Sequence, residues 1–184
     1  ADNNTAVGKD ALEDTSTGSS NTGVGKSALK SLTTGANNTA IGDEALDGTD
    51  DGNHNTAIGK TALSANCGNS NTAVGIQALE VCTGADNTAC GTLAGNQVTS
   101  GTNNLFLGHD AGKTGSPGGA ITTGSNEICL GDENISEAHI QVDWTVASDK
   151  RDKTDVTPID MGLDFVNKLE PVTYKWDKRS NYVE

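Results

Sequence analysis

The chain has 184 residues with 23 glycines, is only 33% hydrophobic and 3% aromatic, and carries a formal net charge of −13. This is poor material for an ordinary globular core, which draws on roughly 45–50% apolar residues. The acidity argues against binding nucleic acid through its phosphates, and no apolar run approaches the ~20 residues of a membrane-spanning helix.

No aromatic residue precedes Phe106, so the first hundred residues must build a core from Ala, Val, Ile, Leu and Thr. Low hydrophobicity with high net charge is also the signature of disorder. Regularity is what argues for order here. The phrase NTAVG, with small changes, ends at Gly8, Gly25, Gly42, Gly59, Gly75, Gly91 and Gly108, with spacings of 17, 17, 17, 16, 16 and 17 residues. A degenerate copy, EICLG, ends at Gly131 after a gap of 23 residues. That gap contains Gly112–Gly119, rich in Gly and holding Pro117, which predicts an inserted loop.

Other columns keep step with the glycines. Ala11, Ala28, Ala45, Ala62, Ala78, Ala94 and Ala111 follow three residues later. Leu12, Leu29, Leu46, Leu63 and Leu79 follow four residues later, and Gly95 and Gly112 replace the leucine in the last two copies. Val7, Val24, Ile41, Ile58, Val74, Cys90 and Leu107 come one residue before. NTAVG alternates as a short strand, with Thr and Val/Ile on one face and Asn, Ala and Gly on the other. Gly permits a tight corner where a side chain would clash.

One such unit cannot bury a core alone, but stacked units can. The expected fold is therefore all-β: a repetitive β-solenoid or β-roll, or a triple-stranded β-helix, with ~17-residue repeats. Columns of Val/Ile, Leu and Ala are expected to be shielded from water, with Cys90 a small buried member of the Val/Ile column. In-register Asn side chains are expected to ladder along the stack. The abundance of Gly, Thr and Asn, without a 3.6-residue period, argues against helix. The Ala and Gly columns imply close approach, either of coil to coil or of chain to chain.

After Gly131 the composition changes. Residues 1–131 hold 13 acids and 5 bases, whereas 132–184 hold 12 acids and 7 bases in far less chain. The expected division is a β-repeat stalk or head over 1–131, a connector over 132–147 and a carboxy-terminal segment over 148–184. The last should be a small α+β unit. Thr157-Pro158 with Asp160 starts a helix striped by Ile159, Leu163, Val166 and Leu169. Val172, Tyr174 and Trp176 then alternate as a strand.

Two resemblances add to this reading. Over about residues 3–112, the NTA[VI]G-xx-AL pattern resembles the NSVAIG-type repeats of trimeric autotransporter adhesin heads. That resemblance implies a left-handed β-roll in each chain and three rolls side by side. SDKRDK at Ser148–Lys153 with GLDFVNKLEPVTYKW at Gly162–Trp176 resembles the start of the endosialidase-type intramolecular chaperone domain of phage tail spikes and fibres. This second resemblance implies trimerisation of a β-helical fibre followed by self-cleavage. A Ser–Lys dyad would do the cutting, with Ser148 as nucleophile and Lys153 as general base. Desolvation in the assembled trimer could make the lysine neutral enough to act, so cleavage would wait on assembly. Without the resemblance, SDKRDK reads as a solvated charge run.

Other candidates read as structural. The cysteines, Cys67, Cys82, Cys90 and Cys129, lack the spacing of a zinc site. Cys67 and Cys82 occupy equivalent loop regions of adjacent repeats, where a bridge could form in an oxidising setting. His54, His109 and His139 are expected at the surface. The loop Asp47–Asn53 offers oxygen ligands but reads as a polar turn, so neither metal nor cofactor is expected. No Walker or Rossmann context surrounds the glycines.

The function expected is structural: the distal part of a homotrimeric phage tail fibre or spike, at the virion tail, with a host-surface receptor or glycan as an external partner. The alternative is a bacterial surface adhesin or extracellular filament subunit built from the same repeats. A glycan-degrading role is disfavoured, because acids do not recur in any column as paired carboxylates in a groove would require.

Overall fold

The computed structural model describes residues 2–141. The expected helix near Pro158, the strand through Trp176, the Ser148–Lys153 pair and residues 142–147 of the connector lie outside them. Eight three-residue strands follow one another: β1 (Thr5–Val7), β2 (Thr22–Val24), β3 (Thr39–Ile41), β4 (Thr56–Ile58), β5 (Thr72–Val74), β6 (Thr88–Cys90), β7 (Leu105–Leu107) and β8 (Ile128–Leu130). Each lies in the repeated phrase. They form one parallel sheet in the order β1 to β8, with Thr22 beside Thr39 and Val24 beside Ile41. Equivalent residues of successive repeats are thus neighbours within one chain. That pairing makes the fold a β-solenoid and not a triple-stranded β-helix.

The opposite wall of each coil is tied in the same way. Leu29 N–H donates to the Ala45 carbonyl at 3.0 Å and Leu46 N–H to Ala62 at 3.0 Å, while Ser27 N–H reaches back to Lys9 at 2.8 Å. Backbone groups that would be orphaned in an isolated turn are therefore satisfied by the coils above and below.

Inside the coil, three kinds of column meet. Ala40, Ala57, Ala73 and Ala89 line the sheet wall; Leu29, Leu46, Leu63 and Leu79, with the preceding alanines, line the facing wall; Leu32, Cys67, Cys82, Val98 and Ile121 fill the remaining side. The expected Asn ladder is present and fully enclosed. Asn38 N–H donates to Asn21 Oδ1 at 2.9 Å, Asn38 Nδ2 to the Gly52 carbonyl at 2.7 Å, and Asn55 N–H to Asn38 Oδ1 at 2.8 Å. One amide side chain thus joins three coils.

The Val/Ile column departs from expectation. Thr and Val/Ile do share one face of the strand, but it is the outer face: Val7, Ile41, Ile58 and Leu107 are exposed. Cys90, expected to be buried, is exposed with them. The reason is spatial and chemical. The roll is thin, so the sheet wall facing the leucines has room for alanine methyls only. The Asn amides, two residues from those alanines and therefore on the same face, have to be inside to reach their backbone partners.

The glycine column shows which surfaces approach closely. A Cβ on Gly42 would lie 2.5 Å from the Gly59 carbonyl oxygen, and the Gly42 φ of +143° disfavours a side chain as well. The close approach is coil against coil. Non-glycine residues also occupy left-handed backbone in every coil, for example Ser27 (φ 56°), Leu29 (φ 55°) and Asn37 (φ 59°). Such a residue costs about 1–2 kcal/mol, which the inter-coil bonds and the burial of Leu29 offset.

Phe106 explains the broken leucine column. It occupies the alanine position of β7 and is fully buried. A Cβ on Gly112 would lie 2.4 Å from its ring, and one on Gly95 2.8 Å. The ring takes the space that leucines fill elsewhere. The inserted loop closes on itself, since Ile121 N–H donates to the Gly112 carbonyl at 2.9 Å and the coil then resumes into β8.

Candidate functional site

Sequence alternation decides what each coil offers to its surroundings. Because Asn and Ala point inward, β1–β5 present Thr and Val/Ile outward, β6–β8 carry Thr88/Cys90, Leu105/Leu107 and Ile128/Leu130 at the same places, and the parallel register aligns them into two columns along the solenoid. Val7 is 56% exposed, Ile58 38%, Leu130 43% and Ile128 67%. Scattered exposed apolar residues are ordinary, but a contiguous band marks an interaction surface. Charges are kept off this band. Lys26 and Lys60 lie at 3.9 and 3.5 Å from the two carboxylate oxygens of Asp43, and Lys30 lies 3.2 Å from Glu13. All lie beyond the Val/Ile column, and as exposed, solvent-screened pairs they contribute little to stability.

Near β7 and β8 a shallow cleft of about 360 Å³ is lined by Asp86, Asn103, Leu105, Ile128 and neighbours. Its lining holds no aromatic ring, and its amides already have partners, with Asn103 Nδ2 donating to Asn126 Oδ1 at 2.8 Å. At the same end, His109 Nδ1 lies 3.6 Å from Asp110 Oδ2 and 3.5 Å from Asp132 Oδ2. Lys113 already pairs with Asp110 at 3.0 Å. Donation from Asn134, with a further contribution from His109, holds Asp132 below the ordinary carboxylate range. This local network ties the last two coils together. His54, His109 and His139 are exposed, as expected.

The Asp47–Asn53 loop is a turn tied into the stack, with Asp50 N–H bonded to Asn66 Oδ1 at 3.2 Å. Burial, reinforced by Glu44 and Asp43, raises the Asp47 carboxyl. Cys67 and Cys82 occupy one inward column on adjacent coils, and both thiols are free and buried. Burial pushes the Cys67 thiol up and that of Cys82 up to about 11, so neither is a nucleophile.

None of these features brings together a nucleophile, a base and an oxyanion site. The expected catalytic pair, Ser148 and Lys153, lies outside the described residues. That part of the chain is the part matched by a comparison with known families. Residues 148–183 match the family model described as "Chaperone of endosialidase". The matched segment thus begins at Ser148 and follows the last strand of the solenoid within twenty residues. No curated protein and no solved structure matches the chain.

The outer band was missed in the sequence because Val and Ile were expected inside on hydrophobicity. The signal that could have found it is the pairing of parities: if Asn ladders inside, its face-mate Ala is inside, and Thr and Val must be outside.

Proposed function

We propose that this chain is a structural fibre protein, the distal part of a homotrimeric phage tail fibre or spike that takes part in host attachment at the virion tail. The observation that carries the reading is the direct succession of a stacked β-solenoid by a segment similar to the chaperone of endosialidase. A solenoid of near-identical coils supplies length and stiffness but little information about how chains should align. A terminal segment that associates first would supply it. Among the described residues no helix is long and apolar enough to cross a membrane. Light scattering on the full chain tests the reading: a mass of about three times 18.8 kDa is expected while the chain is uncut, and a folded monomer at all concentrations would overturn it.

Ser148 and Lys153 are proposed to act once, on the chain itself. Lys153, neutral when desolvated by assembly, takes the proton of Ser148 Oγ, which attacks a neighbouring backbone carbonyl; the peptide C–N bond breaks, the leaving amine takes the proton back from Lys153, and water then hydrolyses the ester. Mass spectrometry of freshly expressed protein is expected to find a fragment bounded at Ser148 that disappears with Lys153→Ala. Cleavage that persists in that variant would remove the lysine from the mechanism.

A further inference from the structure

We infer that the outer Val/Ile column of the sheet is the surface on which copies of this chain pack, side by side and parallel, with like coils at like heights. The inference rests on the proposed self-association and names the surface it uses. Val7, Ile41, Ile58, Cys90, Leu107 and Leu130 stand in one line down the face, on strands about 4.8 Å apart. The band is continuous from the first strand to the last and contains no charged residue, so an identical band can lie against it without burying an unpaired charge. A partner of different chemistry would need some charged or aromatic anchor in the band to read, and there is none. A second copy needs only the same periodicity, which it has by construction of the repeat.

The size of the band also bears on how assembly starts. Its length is about 35 Å and its width, including the Thr column, about 12 Å. The resulting area of roughly 400 Å² is about half the ~800 Å² per partner of a stable pair. The band therefore holds chains that something else has already brought together. It is also insensitive to slippage, because a shift by one coil sacrifices one row of contacts and re-pairs all the others. Both properties call for a separate nucleating segment, and residues 148–183 are similar to one.

Cys90 supplies a native probe. It lies in the band, while Cys67, Cys82 and Cys129 are buried and no cysteine follows Cys129. Mild oxidation of the full chain with copper phenanthroline, which removes two electrons and two protons from a pair of thiols, is expected to give a covalent dimer on a non-reducing gel. Cys90→Ser should abolish that band. In parallel, Ile41→Asp with Ile58→Asp alters only outward side chains. It is expected to keep the far-UV circular dichroism while lowering the fraction of assembled chain at least tenfold. An oligomer by light scattering that neither cross-links through Cys90 nor responds to the paired aspartates overturns the inference and leaves the fibre reading standing. A folded monomer under every condition overturns both. If the aspartate variant fails to fold, cross-linking of the unaltered chain decides alone.

Discussion

Replacing Phe106 by alanine restores the residue type of its column yet should be among the most damaging single changes in the solenoid. Burial of Phe106 is complete, and the two positions facing it are glycines that cannot move in to fill the space. Phe→Ala substitutions in cores cost about 3–5 kcal/mol, more where the site cannot collapse. Here the upper end, about 5 kcal/mol, is expected. For a chain of this length that corresponds to a fall in melting temperature of about 10–20 °C. Gly95→Leu alone puts a Cβ 2.8 Å from both Phe106 and Leu79 and should cost about 1–3 kcal/mol by overpacking. The double variant recreates the arrangement of the preceding coils, where Ala89 lies in the sheet column and Leu79 in the facing one. Position 95 already has the left-handed backbone (φ 62°) that Leu79 adopts at φ 51°. A favourable coupling of about 2 kcal/mol or more is therefore expected. The assay is thermal denaturation followed by circular dichroism at one fixed protein concentration, because association shifts apparent stability. Strict additivity of the two single effects would refute the idea that the phenylalanine and the glycines exchange volume.

Three further outcomes follow from the described residues. Asn55→Leu fits the space but strips Asn71 N–H of its acceptor (2.8 Å) and leaves the Gly68 carbonyl only the longer bond from Asn71 Nδ2 (3.3 Å); a loss of about 2–3 kcal/mol in denaturant titrations is expected. Asp47 has a raised folded pKa, so the folded state binds its proton more tightly than the unfolded state does. Stability from this group is therefore greatest below its unfolded pKa and declines as pH rises through the folded value. Asp47→Asn should raise the melting temperature at pH 7 and flatten its dependence above pH 4, and an unchanged pH profile would count against the burial argument. Thiol titration of the native chain should leave Cys67, Cys82 and Cys129 unreacted over minutes, and all four cysteines should react in denaturant.

Much of the fold was legible because stacking imposes equal path lengths on successive coils, and equal path lengths appear directly as a repeat. The strand positions, the inward leucines and the Asn ladder all follow from that one constraint. The side of the strand facing the core did not follow. Hydrophobicity ranks Val and Ile above Ala, but the narrow interior selects for volume and for amide hydrogen bonding, and places Val7 and Ile58 outside. The repeat alone gives no reason for the glycines at 95 and 112, whereas Phe106 occupies the space a side chain there would need. The inserted segment between Gly112 and Ile121 was legible from its Gly and Pro content, because a loop leaving a solenoid must return to the point it left. Ser148 and Lys153 were legible only through resemblance, since a serine five residues before a lysine in a charged stretch carries no geometric signature of its own.

A backbone that repeats its hydrogen bonds at fixed intervals also has an adjustable length. Excising Asp43–Gly59, one whole period, would bring Gly42 next to Lys60, and Lys60 already stands where Lys26 stands two coils earlier. Each gain or loss of a period lengthens or shortens the rod by about 4.8 Å and leaves its ends chemically unaltered. Genetic duplication can therefore tune how far such a protein reaches without redesigning either terminus.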